Sequence, residues 1–221
     1  MNTVLYTVNV GHYDTVEPIN VPDGWRALYF TDAPETLPEG WELARWHPEF
    51  DEPILASRPP KMMPWRYFDY DVCVYIDGRY SVVGDLNEFI QNRCDGWYCR
   101  AHYEQPGLYG EMDKTKAKLR PYVSESVLNW IDQQKRVYQS EGIPDALPAY
   151  PTNGAIVRVN NHHNRTIGEL WWSEYYKWKT WNDQVDLWAV LWRNQWAVTV
   201  EPWRSWDQYF KLRRHNTWVY Q

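Results

Sequence analysis

The 221-residue chain is poor in cysteine, with only Cys73, Cys94 and Cys99 and no CxxC pair. An odd count without paired spacing supports neither a disulfide framework nor a zinc ribbon, and it points to a reducing, cytoplasmic setting. Long apolar runs are missing too. No stretch approaches the roughly 18 residues that a membrane helix needs, and mean hydropathy is −0.71. Met1 to Val10 has neither a basic leader region nor a small-residue cleavage site and reads as a first strand, so export by a signal peptide is not expected. There is no internal repeat at the periods that mark solenoids or propellers. A Walker loop, a GxGxxG turn, a GxSxG elbow and a cysteine nucleophile are all absent, which removes the commonest ATPase, dehydrogenase and hydrolase readings.

What is abundant is aromatic. Sixteen Trp, 17 Tyr and 5 Phe make 17% of the chain, and side chains of this size bury enough apolar area to offset the entropy of ordering the backbone, so the chain is not disordered. The 23 basic and 29 acidic residues give a formal charge of −6, which argues against a general nucleic-acid surface. Two basic stretches nevertheless leave a polyanionic acceptor open: Lys114, Lys116, Lys118 and Arg120, and Arg204, Lys211, Arg213 and Arg214.

Apolar and β-branched runs bounded by turn residues predict strands at Thr3 to Val10, Arg26 to Thr31 and Asp71 to Ile76, with a short one at Trp41 to Trp46 and others at Ala155 to Val159 and Ala197 to Val200. The run from Asp71 has the continuous apolar character of a strand covered on both faces. Helices are expected from near Pro59 to Phe68, after the N-cap Asp85, from Ser124 to Tyr138, from Trp171 to Trp178, and from Asp183 to Trp192 with Asn182 as N-cap. In the last of these, Val185, Trp188, Ala189 and Trp192 share one face, which is expected to point inward. Strands alternating with helices predict an α/β fold around a mixed, mainly parallel sheet flanked by helices, whose ligand site lies beyond the carboxyl ends of the strands. Residues 1–200 are expected to form one domain, with 201–221 a basic, aromatic tail packed on it or extending it.

Asp14, Asp32 and Asp77 each follow a predicted strand end. Asp77, leaving a buried strand into the turn at Gly78 and Arg79, either holds a divalent ion at a diphosphate or merely caps its turn. Arg58 and Lys61 fall one helical turn apart, the spacing of a phosphate clamp or of two solvated charges. Asp183 either supplies a base or acceptor-orienting group, with Gln184 as its hydrogen-bond partner, or a favourable charge at a helix start. His162 and His163 either add an imidazole to an ion at Asp77 or belong to a polar loop. Most Trp are expected in the core; a few on a rim would offer stacking platforms.

The ordered motifs Tyr6-Thr7, Gly11 to Asp14, Tyr29 to Asp32, Gly40-Trp41, Ser57 to Lys61 and Phe68 to Asp71 lead into Val74-Tyr75-Ile76-Asp77-Gly78. They are followed by Tyr138 with Glu141-Gly142, Ile156 to Arg158, His163-Asn164, Trp171 to Glu174 and Asp183-Gln184. Over roughly residues 3 to 193 this set resembles a GT-A-type glycosyltransferase family, formerly catalogued as a domain of unknown function, that is related to the plant pectin galacturonosyltransferases. The resemblance implies a GT-A-like fold that binds a nucleotide sugar, usually a UDP-sugar, and a divalent cation (Mn²⁺ or Mg²⁺) at an acidic motif ending a central strand. It departs at two places: Arg79 stands where the related enzymes carry the second acid of Asp-x-Asp, and Asn182 where the family has an Arg before Asp-Gln.

On this reading Tyr6, Thr7, Asp14, Arg58, Lys61 and Arg79 bind the donor. Asp77 and His163 hold the metal, Asp77, Asp183 and Gln184 serve catalysis, and Trp172, Glu174 and Trp181 meet the acceptor. The acceptor is a glycan, a small molecule or a hydroxymethylated base in DNA. The alternative is a non-catalytic carbohydrate- or nucleic-acid-binding protein that works through exposed Trp residues, for which Trp181 and the segment from Trp203 to Trp218 are the candidates.

Overall fold

A computed structural model describes residues 1–104, 107–146 and 150–213. Strand β1 (Thr3–Asn9) is buried along its whole length and pairs in parallel with β2 (Trp25–Thr31) on one side and with β4 (Val72–Ile76) on the other. Together with β3 (Glu42–Leu43), β6 (Trp97–Ala101), β7 (Pro151–Val159) and β8 (Thr199–Glu201) they form a seven-stranded sheet in the order β3-β2-β1-β4-β7-β6-β8. The sheet is mixed and mostly parallel: β7 runs antiparallel to β4 and β6, while the other neighbours are parallel. Because β1 connects to β2 on one side and has β4 on the other, strand order reverses beside it, and the crevice at the carboxyl ends of β1 and β4 is the topological switch point.

Alternating side chains divide the core into two layers. Tyr6, Val8, Cys73, Tyr75 and Ile156 face helices α1 (Pro53–Met62), α5 (His162–Trp178) and α6 (Asp183–Asn194). Leu5, Val74, Ile76 and Val157 face α2 (Leu86–Ile90) and the C-terminal segment. A third cluster joins α3 (Leu108–Leu119) and α4 (Glu125–Ser140) to the outer sides of α5 and α6. Residues 201–213 are part of this fold. The turn α7 (Arg204–Asp207) buries Trp206 completely, with its ring 4.9 Å from that of Phe89, and β9 (Phe210–Leu212) pairs with β5 (Tyr80–Val82). A fully buried Trp is worth about 3–5 kcal/mol against Ala, too much for an appendage. Arg214 and Trp218 lie outside the described residues.

Several elements depart from the sequence expectation. Helix α1 begins earlier, where Glu52 accepts hydrogen bonds from the backbone N–H groups of Ile54 (3.1 Å) and Leu55 (2.5 Å). Pro59 and Pro60 lie inside it, in its last turn, where each removes an N–H that would otherwise bond the carbonyl four residues back, and only a short 3-10 turn, Pro64–Arg66, follows. Helix α5 opens at His162, capped by Asn161, so the histidines sit in a helix rather than a loop. In α6, Trp192 is 37% exposed and Trp188 half-buried, whereas Val185, Leu187, Ala189 and Leu191 are buried. The helix is covered on two sides, by the sheet and by the α3–α4 pair, which a single amphipathic face does not describe. Strands β5, β6 and β9 and helix α3 were not legible as elements.

Candidate functional site

A cavity of about 530 Å³ opens at the switch point. Its floor comes from the carboxyl end of β1 and from Tyr75, Asp77, Gly78 and Arg79 at the end of β4; α1 supplies Ser57, Arg58 and Lys61, and the start of α6 supplies Trp181 and Asp183. Asp14 lines it from the loop after β1, held by Asn9, whose side chain donates to the Asp14 carbonyl (2.7 Å) and accepts from its N–H (3.0 Å). Asp32 accepts from the N–H of Gly11 through both carboxylate oxygens and so fixes that loop.

Asp77 closes a tight turn with its backbone: its carbonyl accepts from the N–H of Tyr80 (2.9 Å) and its N–H donates to Gly154 (2.8 Å). Its carboxylate does something else. Oδ1 accepts from the Tyr75 hydroxyl (2.7 Å) and lies 3.7 Å from Lys61 Nζ, and Oδ2 abuts Gly154, where an added Cβ would come within 2.8 Å. Burial works against the Asp77 charge, but Lys61, Arg79, the Tyr75 hydroxyl and Arg58 outweigh it and hold the carboxyl below its ordinary value. Burial, and next the Asp77 charge, raise Tyr75 well above the usual tyrosine value, so its hydroxyl stays a donor.

Lys61 is 3% exposed, and its ammonium lies 2.7 Å from Asp183 Oδ2 and 5.0 Å from the centre of the Tyr75 ring. Arg58, one turn earlier, is 3.6 Å from the same carboxylate and donates to the Trp181 carbonyl (3.2 Å). The two basic residues therefore share one face of α1, and Lys61 ties Asp77 to Asp183. Asp183 is positioned by Asn182, which caps the helix through Gln184 N–H (3.1 Å), and by its own carbonyl, which accepts from the Trp171 indole (2.8 Å) and the Asn153 side chain (3.3 Å). Trp181 lines the cavity with φ at +72°, a costly conformation for an aromatic residue that its surroundings must hold in place.

No protein-family model and no curated protein matches the chain. The site is therefore judged on its own residues. Asp14, Arg58, Lys61, Asp77, Arg79, Trp181 and Asp183 come together as expected; the remaining candidates do not. Tyr6 is fully buried and donates to the Lys61 carbonyl (3.1 Å) beside the guanidinium of Arg158, and Thr7 is enclosed within β1, so neither lines the cavity. Gln184 turns away from Asp183 and accepts from the Asn153 N–H (3.3 Å), tying α6 to β7. Glu174 is interior: it accepts from Tyr138 (2.9 Å) and the Trp178 indole (2.7 Å) and pairs with Arg193 (2.7 Å). Trp172 packs on Phe50 and Tyr176.

His163 is at the wrong end of the sheet. Strand β7 is antiparallel to β4, so Ala155 lies beside Ile76 but Val159 lies beside Val72, and α5 starts about 17 Å from Asp77, a five-residue strand length. His163 stacks edge-on against Trp196 instead.

Of the two expected metal ligands only Asp77 lies at the cavity. Small divalent ions take about six oxygen ligands, with carboxylates foremost. Here one carboxylate oxygen is bonded to Tyr75 and faced by an ammonium, the other is pressed against Gly154, and Arg79 replaces the second acid. Among the described residues no three Asp, Glu, His or Cys side chains converge. The donor set does not fit a Mn²⁺ or Mg²⁺ ion.

Three contributors were not anticipated. Tyr75 lies two residues before Asp77 on the same strand face, a spacing that would have revealed it. Tyr122 lines the cavity from the turn before α4. Arg158, 1% exposed, donates to the carbonyls of Lys61 (2.6 Å) and Met62 (3.2 Å), stacks on Trp97, and so fixes the C-terminal end of the helix that carries Arg58 and Lys61. No helix among the described residues is long and apolar enough to cross a membrane.

Proposed function

We propose that the chain is a glycosyltransferase that moves a sugar from a nucleotide-sugar donor, most simply a UDP-sugar, to a hydroxyl acceptor. The observation that carries this reading is the Asp77–Lys61–Asp183 bridge, backed by Arg58 and Arg79, in a 530 Å³ cavity at the switch point of a mostly parallel sheet. A cavity of that volume suits a nucleotide-sized ligand, and the sequence resemblance to GT-A-type glycosyltransferases points the same way. In the transfer, the bond from the anomeric carbon to the β-phosphate oxygen breaks and the diphosphate leaves with the electron pair. The acceptor oxygen bonds to that carbon and its proton passes to the departing phosphate or to solvent. Asp183, fixed on the cavity wall by Lys61 and Arg58, suits orienting the acceptor hydroxyl by accepting its hydrogen bond.

The competing reading, a binding protein that uses surface Trp, has little to support it. Of the fifteen described Trp only Trp130 and Trp192 are exposed, and neither lines the cavity. For the acceptor, Lys114 and Lys116 are paired with Glu104 and Asp132, which reduces the basic stretch that a polyanion would use to Lys118 and Arg120.

The test is UDP release from a panel of UDP-sugars, run with and without Mn²⁺ and with candidate acceptors. Release that falls by about 100-fold or more in Asp183→Asn, with UDP still bound, is the expected outcome. No release from any nucleotide sugar, or undiminished turnover in a folded Asp183→Asn protein, contradicts the assignment.

A further inference from the structure

We propose that this site binds its nucleoside diphosphate without a divalent ion, with the Arg79 guanidinium at the diphosphate where an ion would otherwise sit; the inference rests on the nucleotide-sugar reading above. The basic side chains of the cavity differ in how they are used. Lys61 is paired with Asp183 and faces Asp77, and Arg58 is held by Asp183 and by the Trp181 carbonyl. Arg79 forms no side-chain hydrogen bond or ion pair with any described residue, and its Nε is shielded from solvent and unpartnered. Its backbone is nonetheless pinned. The Arg79 carbonyl accepts from the Arg213 N–H (2.9 Å), and the Arg213 guanidinium donates to the carbonyls of Gly78 (3.0 Å) and Thr15 (2.6 Å), so the chain after β9 braces the turn that presents Arg79.

The carboxylates of the cavity are largely engaged. Glu52 caps α1, Asp183 is neutralised by Lys61 and Arg58, and Asp77 is taken up by Tyr75, Lys61 and the wall at Gly154. Asp14 is the other acid in the lining and lies against Gly78. A cation entering between Asp77 and Asp14 would meet the charges of Lys61 and Arg79, whereas a diphosphate would meet an unpaired planar fork of donors that matches two phosphate oxygens.

The experiment is calorimetric titration of the full chain with UDP, once in EDTA and once with Mn²⁺, followed by the same titrations on Arg79→Met and Arg79→Lys. Wild-type affinity within about threefold between the two buffers, with a loss of at least about tenfold in Arg79→Met, is expected. Arg79→Lys should recover part of that loss, because a point charge replaces the fork. Binding that appears only with Mn²⁺, or that is unchanged in Arg79→Met, overturns the inference and leaves the nucleotide-sugar reading standing. No UDP binding in either buffer overturns that reading and this inference with it.

Discussion

Gly154 shows how closely single residues set this site. Its backbone carbonyl receives the Asp77 N–H, and the missing side chain leaves room for Asp77 Oδ2, which a Cβ would approach to 2.8 Å. Backbone strain is not the reason for a glycine here; the close approach is. Gly154→Ala should therefore leave the fold intact and displace the Asp77 carboxylate from Tyr75 and Lys61. The expected loss is about 10- to 100-fold in UDP-sugar turnover, with a small change in melting temperature. Turnover equal to wild type would mean that the orientation of Asp77 is unimportant. Lys61 is the other residue on which the arrangement depends. Removing the charge of Asp183 would leave the buried Lys61 ammonium with only the more distant Asp77 carboxylate, 3.7 Å away, a loss bounded by the about 3–5 kcal/mol of a fully broken buried pair, so binding and melting measurements must accompany the activity of any Asp183 variant.

Helix α6 carries Asp183 at its first turn and Asp186 one turn later, and the second acid has a different purpose. Asp186 is fully buried and accepts from Gln134 (2.6 Å), and its carboxyl lies 3.1 Å from the Tyr138 hydroxyl, whose hydrogen is directed to Glu174 (2.9 Å). Burial first, then the Glu174 charge, push the Asp186 carboxyl well above its ordinary value, so it stays protonated where an unfolded chain would have lost the proton. The folded state then binds more protons, and stability falls as pH rises from the ordinary aspartate value, about 3.9, through the raised one. Asp186→Asn removes that penalty. At neutral pH its melting temperature should equal or exceed the wild-type value, and it should decline less between about pH 5 and 8. A lower melting temperature with an unchanged pH slope would show that Asp186 is ionised in the fold. The same helix marks how far pattern reading reaches. Asn182 as the cap and the start at Asp183 were readable from residue type, but the inward face was not, because packing on two sides hides the amphipathic stripe. Helix α1 departs from its pattern for a related reason: two prolines, residues that favour a first turn, stand in its last turn, and the i, i+3 spacing of Arg58 and Lys61 holds all the same.

At the scale of the molecule, the carboxyl-end acids Asp14, Asp32 and Asp77 were legible because an acid just past an apolar strand run is a local signal, reinforced at Asp77 by Gly78. Strand direction is not local. His163 follows a strand and so looked like a neighbour of Asp77, but the antiparallel pairing of β7 with β4 sends it to the far end of the sheet. Tyr6 and Glu174 likewise sit among site-like motifs and are occupied by Arg158 and Arg193, partners 152 and 19 residues away that no spacing rule identifies, while Trp178, one helical turn after Glu174, is a third contact that spacing could have shown. The aromatic excess is mostly interior: Trp41, Trp97, Trp171, Trp178 and Trp206 are buried, and Trp181 is the one described Trp that lines the cavity. The most direct test of the whole account is a crystal structure of the protein soaked with UDP and Mn²⁺. The account predicts the nucleotide in the cavity between β1 and α1, with its diphosphate on the Arg79 guanidinium and no ion on Asp77. UDP bound elsewhere, or an empty cavity at saturating UDP, would contradict it.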